Sequence, residues 1–186
     1  MLELYHHGSS VCAAKARFAI NEKGVPWTGH YIDILKGEQF DPAYLKLNPK
    51  GVVPALDHDG RIVIESSLIC EYLDDCFPAP SLVPADPWAR ARMRLWSKNV
   101  DEVIFEATRE LSFSAMFRER MKNMSDEQRE GRYRNVGDPI KRARLISTYE
   151  EGVESVYVFQ GIAAYEKMFK AMESDLADGQ IGRAHV

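Results

Sequence analysis

Asn48-Pro49-Lys50-Gly51-Val52-Val53-Pro54-Ala55-Leu56, continued by Asp57-His58-Asp59-Gly60 and Arg61-Ile62-Val63-Ile64-Glu65-Ser66-Ser67, is the stretch on which the fold turns. Residues 52–56 read as a strand, yet Pro54 among them has no N–H for a ladder, which confines it to an edge, a bulge or a sharp bend. If the Val53–Pro54 bond is cis, the N–H and C=O of Val53 face outward, where the backbone of an extended peptide ligand can pair with them. Asp59-Gly60 marks a hairpin turn, so Arg61 to Ile64 is a second short strand. Glu65-Ser66-Ser67 then opens a helix with Leu68, Ile69, Tyr72, Leu73 and Phe77 on its apolar face and Ser66 or Ser67 as N-cap. Free N–H groups at a helix start suit a carboxylate, and the adjacent Glu65 suits an ammonium. This corner therefore suits the amino-acid end of a ligand.

Upstream, Leu2-Glu3-Leu4-Tyr5-His6 alternates as a short strand and ends at His7-Gly8. Ser9 or Ser10 caps a helix whose expected stripe is Val11, Ala14, Phe18 and Ala19, closed by Lys23 and a C′ Gly24. Residues 27–34 return to a strand pattern, so residues 1–34 form a β-α-β unit with the parallel pairing that such a crossover makes. Asp41-Pro42-Ala43-Tyr44-Leu45 starts a short helix with proline in its first turn. The whole order is β-α-β-α-β-β-α, an α/β fold with a mixed sheet. Three prolines within residues 79–87 make an extended linker. From Trp88 the period becomes 3.6, with Ala89, Met93, Trp96, Val100, Val103, Ala107 and Leu111 on one stripe, so an all-α domain occupies residues 88–179. Start signals at Ser125-Asp126-Glu127-Gln128 and Asp138-Pro139 add further helices, and Gly152 and Gly161 mark kinks or breaks.

With 45% hydrophobic residues in 186, the chain has ample material for folded cores. No apolar run reaches the ~18–20 residues of a membrane span. The start at Met1-Leu2-Glu3 shows no basic or apolar leader, so the expected location is the cytoplasm and no membrane partner is expected. Cys12, Cys70 and Cys76 are odd in number and lack metal-ligand spacing, which fits a reduced compartment, no metal and no structural disulfide. The net charge of −4 and the interleaving of acids with Arg90, Arg92 and Arg94, or with Arg129, Arg132 and Arg134, argue against nucleic acid.

The Pro-containing strand, the Gly-turn hairpin and the Glu-Ser helix start, in that order, resemble the glutathione-binding half of cytosolic glutathione transferases. The resemblance covers residues 1–78 strongly and residues 88–179 in outline. It implies a thioredoxin-like N-terminal domain at 1–78, glutathione as co-substrate, a small hydrophobic electrophile as second substrate, and a homodimer for the full-length protein. It also implies that Val53 beside Pro54 holds the cysteinyl backbone, that Glu65 and Ser66 hold the γ-glutamyl end, and that Gln39 and Lys50 take the glycine end. At Val52 the chain departs from the family, where a polar residue is frequent.

Anchoring the family pattern on Lys15-Ala16-Arg17 and Glu22-Lys23-Gly24 places Ser10 at the hydroxyl that activates the glutathione thiol. Ser9 is the fallback, and Cys12 falls at the position of the catalytic cysteine of one bacterial class. Ser10 implies a transferase whose electrophile is attacked directly: a halide, an epoxide, an activated alkene, or an aryl ether cleaved by displacement. Cys12 implies a reductase or lyase acting by thiol transfer, dehalogenation or aryl-ether cleavage. A non-catalytic binding protein on the same fold is the competing class. Phe113, Met116, Phe117 and Met121 are apolar enough to line an electrophile pocket. Family members run on past an Ala-Asp-Gly turn, here Ala177-Asp178-Gly179, so the second domain is expected to be truncated and residues 180–186 to be a foreign tail.

Overall fold

The structure, a computed structural model, describes residues 1–177. The expected foreign tail lies outside them. The chain forms two compact units that divide between Met93 and Arg94.

The first unit is built on a four-stranded sheet of β1 (Leu2–His6), β2 (Trp27–Tyr31), β3 (Ala55–His58) and β4 (Arg61–Ile64) in the order β2-β1-β3-β4. β1 runs parallel to β2, and β3 and β4 are antiparallel, as the sequence order implied; β1 pairs antiparallel with β3. Between β1 and β2 lies α1 (Val11–Lys23), then come α2 (Pro42–Leu45), before β3, and α3 (Ser66–Cys76), after β4. Leu2, Leu4 and Leu56 from the sheet meet Ala16, Ala19, Ile20, Ile69 and Leu73 from α1 and α3 in one core. A second cluster of Tyr44, Val53 and Ala55 lies with Tyr5, Ile32 and Ile64 packed on it. Alternation on β1 explains the split, because Leu2 and Leu4 point to one face and Tyr5 to the other.

The stripe expected on α1 is rotated. Ala13, Ala16, Ala19 and Ile20 are buried, while Val11 and Phe18 are exposed. Alanines let α1 come close to α3, and that packing sets the buried face in place of side-chain size. Likewise Leu68 on α3 is 58% exposed, whereas Ile69 and Leu73 are fully buried.

An ion pair that the sequence reading missed ties this unit together. Lys23 at the end of α1 is buried and meets the Asp74 carboxylate of α3. Its Nζ also donates to the Pro80 carbonyl at 2.6 Å, and Asp74 Oδ1 accepts from the Leu82 N–H at 2.6 Å. The proline-rich segment after α3 is thus held against the core, where Leu82 packs.

The division between the units falls inside α4 (Pro87–Asn99). The single 3.6-residue stripe from Ala89 to Leu111 is interrupted. After α4 come a π-helical turn at Val100–Ile104, α5 (Phe105–Ser112), a second π-helical turn at Phe113–Phe117 and α6 (Arg118–Lys122). Each π turn inserts a residue into the hydrogen-bond ladder and shifts the helix face, a change that a steady 3.6 period cannot announce. The capping box at Ser125 and Gln128 starts α7 (Asp126–Asn135), and Asp138 caps α8 (Pro139–Glu150), both as expected. Phe113, Met121 and Tyr133 form a core cluster in this unit with half-buried Phe117 packed on it, so of the four residues expected at an electrophile pocket two are buried and Met116 is 66% exposed.

Gly152 breaks the chain between α8 and α9 (Val156–Ala177), with φ at 64°. A Cβ there would sit 2.8 Å from the guanidinium of Arg118, which donates to the carbonyls of Tyr149 (2.6 Å) and Glu150 (2.9 Å) at the end of α8. Gly152→Ala is expected to lower stability by about 1–2 kcal/mol for the left-handed backbone alone, with more from displacing Arg118. Urea unfolding followed by helix content checks this, and an unchanged midpoint counts against it. Gly161 does not break α9, which runs unbroken through it. It lets the helix approach Ala107 of α5 closely.

Candidate functional site

The sheet register gathers the candidate residues. Tyr5 lies opposite Ala55 and Ala55 opposite Ile64, so the exit of β1, the entry of β3 and the exit of β4 share one end of the sheet. The loop from His7 to Ser10, the Val53–Pro54 dipeptide and the Glu65-Ser66 pair all begin there. Ends of strands are where α/β sheets form ligand crevices, because chain leaves the sheet there with unpaired backbone groups.

Ser10 is the N-cap of α1. Its Oγ accepts from the Ala13 N–H at 3.2 Å, which leaves the hydroxyl proton for another acceptor. Ser9 is engaged elsewhere, with Oγ 2.9 Å and backbone N 3.2 Å from Nδ1 of His7. Because a backbone N–H can only donate, Nδ1 must accept, and the proton of the neutral ring sits on Nε2. His7 is 4% exposed and its Nε2 has no partner among the described residues. Arg17 ties the same loop down by donating to the carbonyls of His7 (3.1 Å) and Gly8 (3.3 Å), and it reaches Nδ1 of His6 at 3.3 Å. Burial, with Arg17 adding to it, pushes the His6 pKa down. Cys12 is half-buried in the first turn of α1 and, like Cys70 and Cys76, is in no disulfide.

The Val53–Pro54 bond is cis. The N–H and C=O of Val53 enter no backbone hydrogen bond among the described residues. The turn before it is stitched by Asn48, whose Nδ2 donates to the Val52 carbonyl at 2.7 Å, as does the Tyr44 hydroxyl at 2.7 Å. Burial raises the Tyr44 pKa to about 12, which keeps that hydroxyl a donor. Gly51, at φ 59°, brings its backbone against Phe40 and Gln39, and a Cβ there would lie 2.9 Å from the Phe40 ring and 3.4 Å from the Gln39 carbonyl. Gln39 is thereby brought beside the turn that carries Lys50, and its Oε1 is buried without a partner among the described residues.

Glu65, not Ser66 or Ser67, is the N-cap of α3, at φ 70° and ψ 114°. A non-glycine residue there costs about 1–3 kcal/mol, and such strain concentrates at ligand clamps. Ser66 behind it is 7% exposed, and Ser67 Oγ accepts from Lys15 Nζ of α1 at 2.9 Å. One pairing was not expected. Lys50 Nζ lies 2.6 Å from Glu65 Oε1, so residues assigned to opposite ends of a ligand bond to each other. Both are well exposed, a setting in which an ion pair is worth ~0–1 kcal/mol and exchanges readily for ligand groups. Among the described residues no group of three or more side chains is placed to hold a metal, and no helix is long and apolar enough to cross a membrane.

His7, Arg17 and Lys15 were not singled out from the sequence as site residues. Their signal was available, since a polar residue directly follows the first strand and two basic residues lie within the first two turns of α1.

A mixed β-α-β-α-β-β-α sheet with a cis-proline at the entry of β3, followed by a helical unit, is the thioredoxin-like architecture with an α-helical extension. Residues 9–76 match the family model described as glutathione S-transferase, N-terminal domain. Over 95% of its length the chain superposes on the crystal structure of the beta-etherase LigF from Sphingobium sp. strain SYK-6 (TM-score 0.82, 34% identity, 73% of that chain). It belongs to the glutathione S-transferase family. In sequence, LigF is 40% identical over 146 residues, which are 77% of this chain and 56% of LigF. Maleylacetoacetate isomerase from Pseudomonas aeruginosa is 40% identical over 96 residues, half of this chain and 45% of that protein. The chain thus spans about half the length of these curated relatives.

Proposed function

We propose that this protein is a glutathione-dependent transferase in which Ser10 holds the glutathione thiolate for attack on a small hydrophobic electrophile. The observation that carries the reading is the strained N-cap at Glu65 sharing one sheet end with the unpaired Val53 backbone and the capping Ser10 hydroxyl. In this reading Val53 pairs with the cysteinyl backbone of glutathione, Glu65 and Ser66 hold its γ-glutamyl end, and Gln39 and Lys50 take its glycine carboxylate. A hydroxyl bonded to the anion is worth about 1.5–3 kcal/mol and the start of α1 about 0.3–1. At ~1.36 kcal/mol per unit, their sum lowers the thiol pKa by roughly 1.5–3 units, enough to populate thiolate near neutral pH.

Likeness to LigF, a beta-etherase, supports an ether as the electrophile. The thiolate sulfur forms a bond to carbon, the carbon–oxygen bond breaks, and the leaving oxygen takes a proton from solvent. Retention of the folded chain on immobilised glutathione, with elution by free glutathione, tests the reading. A folded protein that is not retained speaks against it. Ser66→Ala is expected to weaken glutathione binding by about 1–3 kcal/mol, because the ligand carboxylate loses a partner. An unchanged dissociation constant by calorimetry removes Ser66 from the site.

A further inference from the structure

We propose that His7 is a positioning residue of the thiol-activating loop, whose neutral ring, accepting at Nδ1, holds the turn that presents Ser10. The inference rests on the proposed function, since it concerns the same loop. Nδ1 receives both the backbone N–H (3.2 Å) and the hydroxyl (2.9 Å) of Ser9, and the next residue's N–H closes the turn by donating to the His7 carbonyl at 3.2 Å. Ser10 thus follows directly from a residue pinned twice by one ring nitrogen. The ring is 4% exposed and lies against Tyr31 of β2, with centroids 5.0 Å apart.

Protonation reverses this arrangement. An N–H at Nδ1 would oppose the N–H of Ser9, and one contact of two would survive at most, with the hydroxyl turned to accept. The charged and titratable groups around the ring offer no compensation. Arg17 of α1 donates to the loop carbonyls, His6 of β1 is a second imidazole held towards its neutral form, and Tyr31 of β2 presents a ring face. The other ring nitrogen has no partner among the described residues, so no carboxylate meets the new charge. A proton at Nδ1 would therefore release the Ser9–Ser10 turn. His7 also keeps the Ser9 hydroxyl occupied, leaving Ser10 as the hydroxyl available to sulfur.

The test uses two variants and one spectroscopic measurement. Asparagine places an oxygen acceptor close to the position of Nδ1 without a titrating group, whereas phenylalanine keeps ring volume with no acceptor. His7→Phe is expected to lower kcat/KM by about 10- to 100-fold and to raise the pKa of bound glutathione, read by thiolate absorbance. His7→Asn is expected to recover most of that loss. In the unliganded chain, ring-nitrogen NMR is expected to show the Nε2–H tautomer at neutral pH, with the Ser9 and Ser10 amide resonances shifting as His7 titrates. An Nδ1–H tautomer, unmoved amides, or wild-type kinetics in His7→Phe overturns the inference. If the wild-type chain binds no glutathione, the proposed function fails, and the NMR measurement still decides the role of His7 in the turn. Should His7→Phe not fold, His7→Asn and the NMR titration decide it.

Discussion

Ser10→Ala is expected to lower kcat/KM for glutathione-dependent turnover by about 10²- to 10³-fold, the usual effect of removing one preorganised donor from a developing or resident anion. The bound thiol should titrate about one to two units higher, since the lost hydrogen bond to a charged acceptor is worth about 1.5–3 kcal/mol. Part of any stability loss has a separate origin, because Ser10 also accepts from the Ala13 N–H and its loss as an N-cap costs about 0.5–2 kcal/mol. Ser10→Thr keeps both the hydroxyl and the cap, so it should restore activity and stability together. Cys12→Ala is the decisive companion. If it abolishes turnover while Ser10→Ala retains a lowered thiol pKa, the chemistry is disulfide exchange through Cys12 and the serine assignment is wrong.

Lys23→Met should destabilise the protein by about 3–5 kcal/mol, the largest stability effect expected for a single substitution here. The change strands the Asp74 carboxylate in the core and leaves the Pro80 carbonyl without its 2.6 Å donor. Adding Asp74→Asn to Lys23→Met should return most of the loss. The neutral amide removes the unpaired charge while its oxygen still accepts from the Leu82 N–H. Urea unfolding of the two variants against wild type reads both effects. A loss below about 1 kcal/mol in the single variant would falsify the claim that this pair is a buried anchor, and it would place Lys23 with exposed pairs such as Lys50–Glu65.

Local signals carried a large part of the architecture. Asp59-Gly60 between two alternating runs specified a hairpin, Ser125 with Gln128 specified a capping box, and Asp138-Pro139 specified a helix start. Each depends on a backbone preference expressed within four or five residues, so each survives whatever packs around it. The Pro54 reading was of the same kind, since a missing N–H inside a strand run leaves few geometries and the cis bond is one of them. Where the reading leaned on hydrophobic size it misplaced faces. Phe18 and Leu68 are exposed while Ala13 and Ala16 are buried, because α1 lies close to α3 and small side chains fit there. The π-helical turns at Val100–Ile104 and Phe113–Phe117 shifted faces again in the second unit and carried Phe113 into its core.

By itself, then, the sequence determined the strand and helix order, the mixed pairing and the proline turn at Val53–Pro54, because turns, caps and periodicity are written locally. Tertiary structure decided what those residues do to one another. Only the register of β1, β3 and β4 brings residues near positions 7–10, 53–54 and 65–66 to one end of the sheet. The joining of Lys50 to Glu65 and of Lys23 to Asp74 spans 15 and 51 residues, and the helix cap fell on Glu65 at a positive φ. The tautomer of His7 was settled by the backbone N–H of Ser9, whose direction depends on a turn that Arg17 of α1 holds from below. Pairing across such separations depends on where the chain returns to itself, and no window of a few residues contains that information.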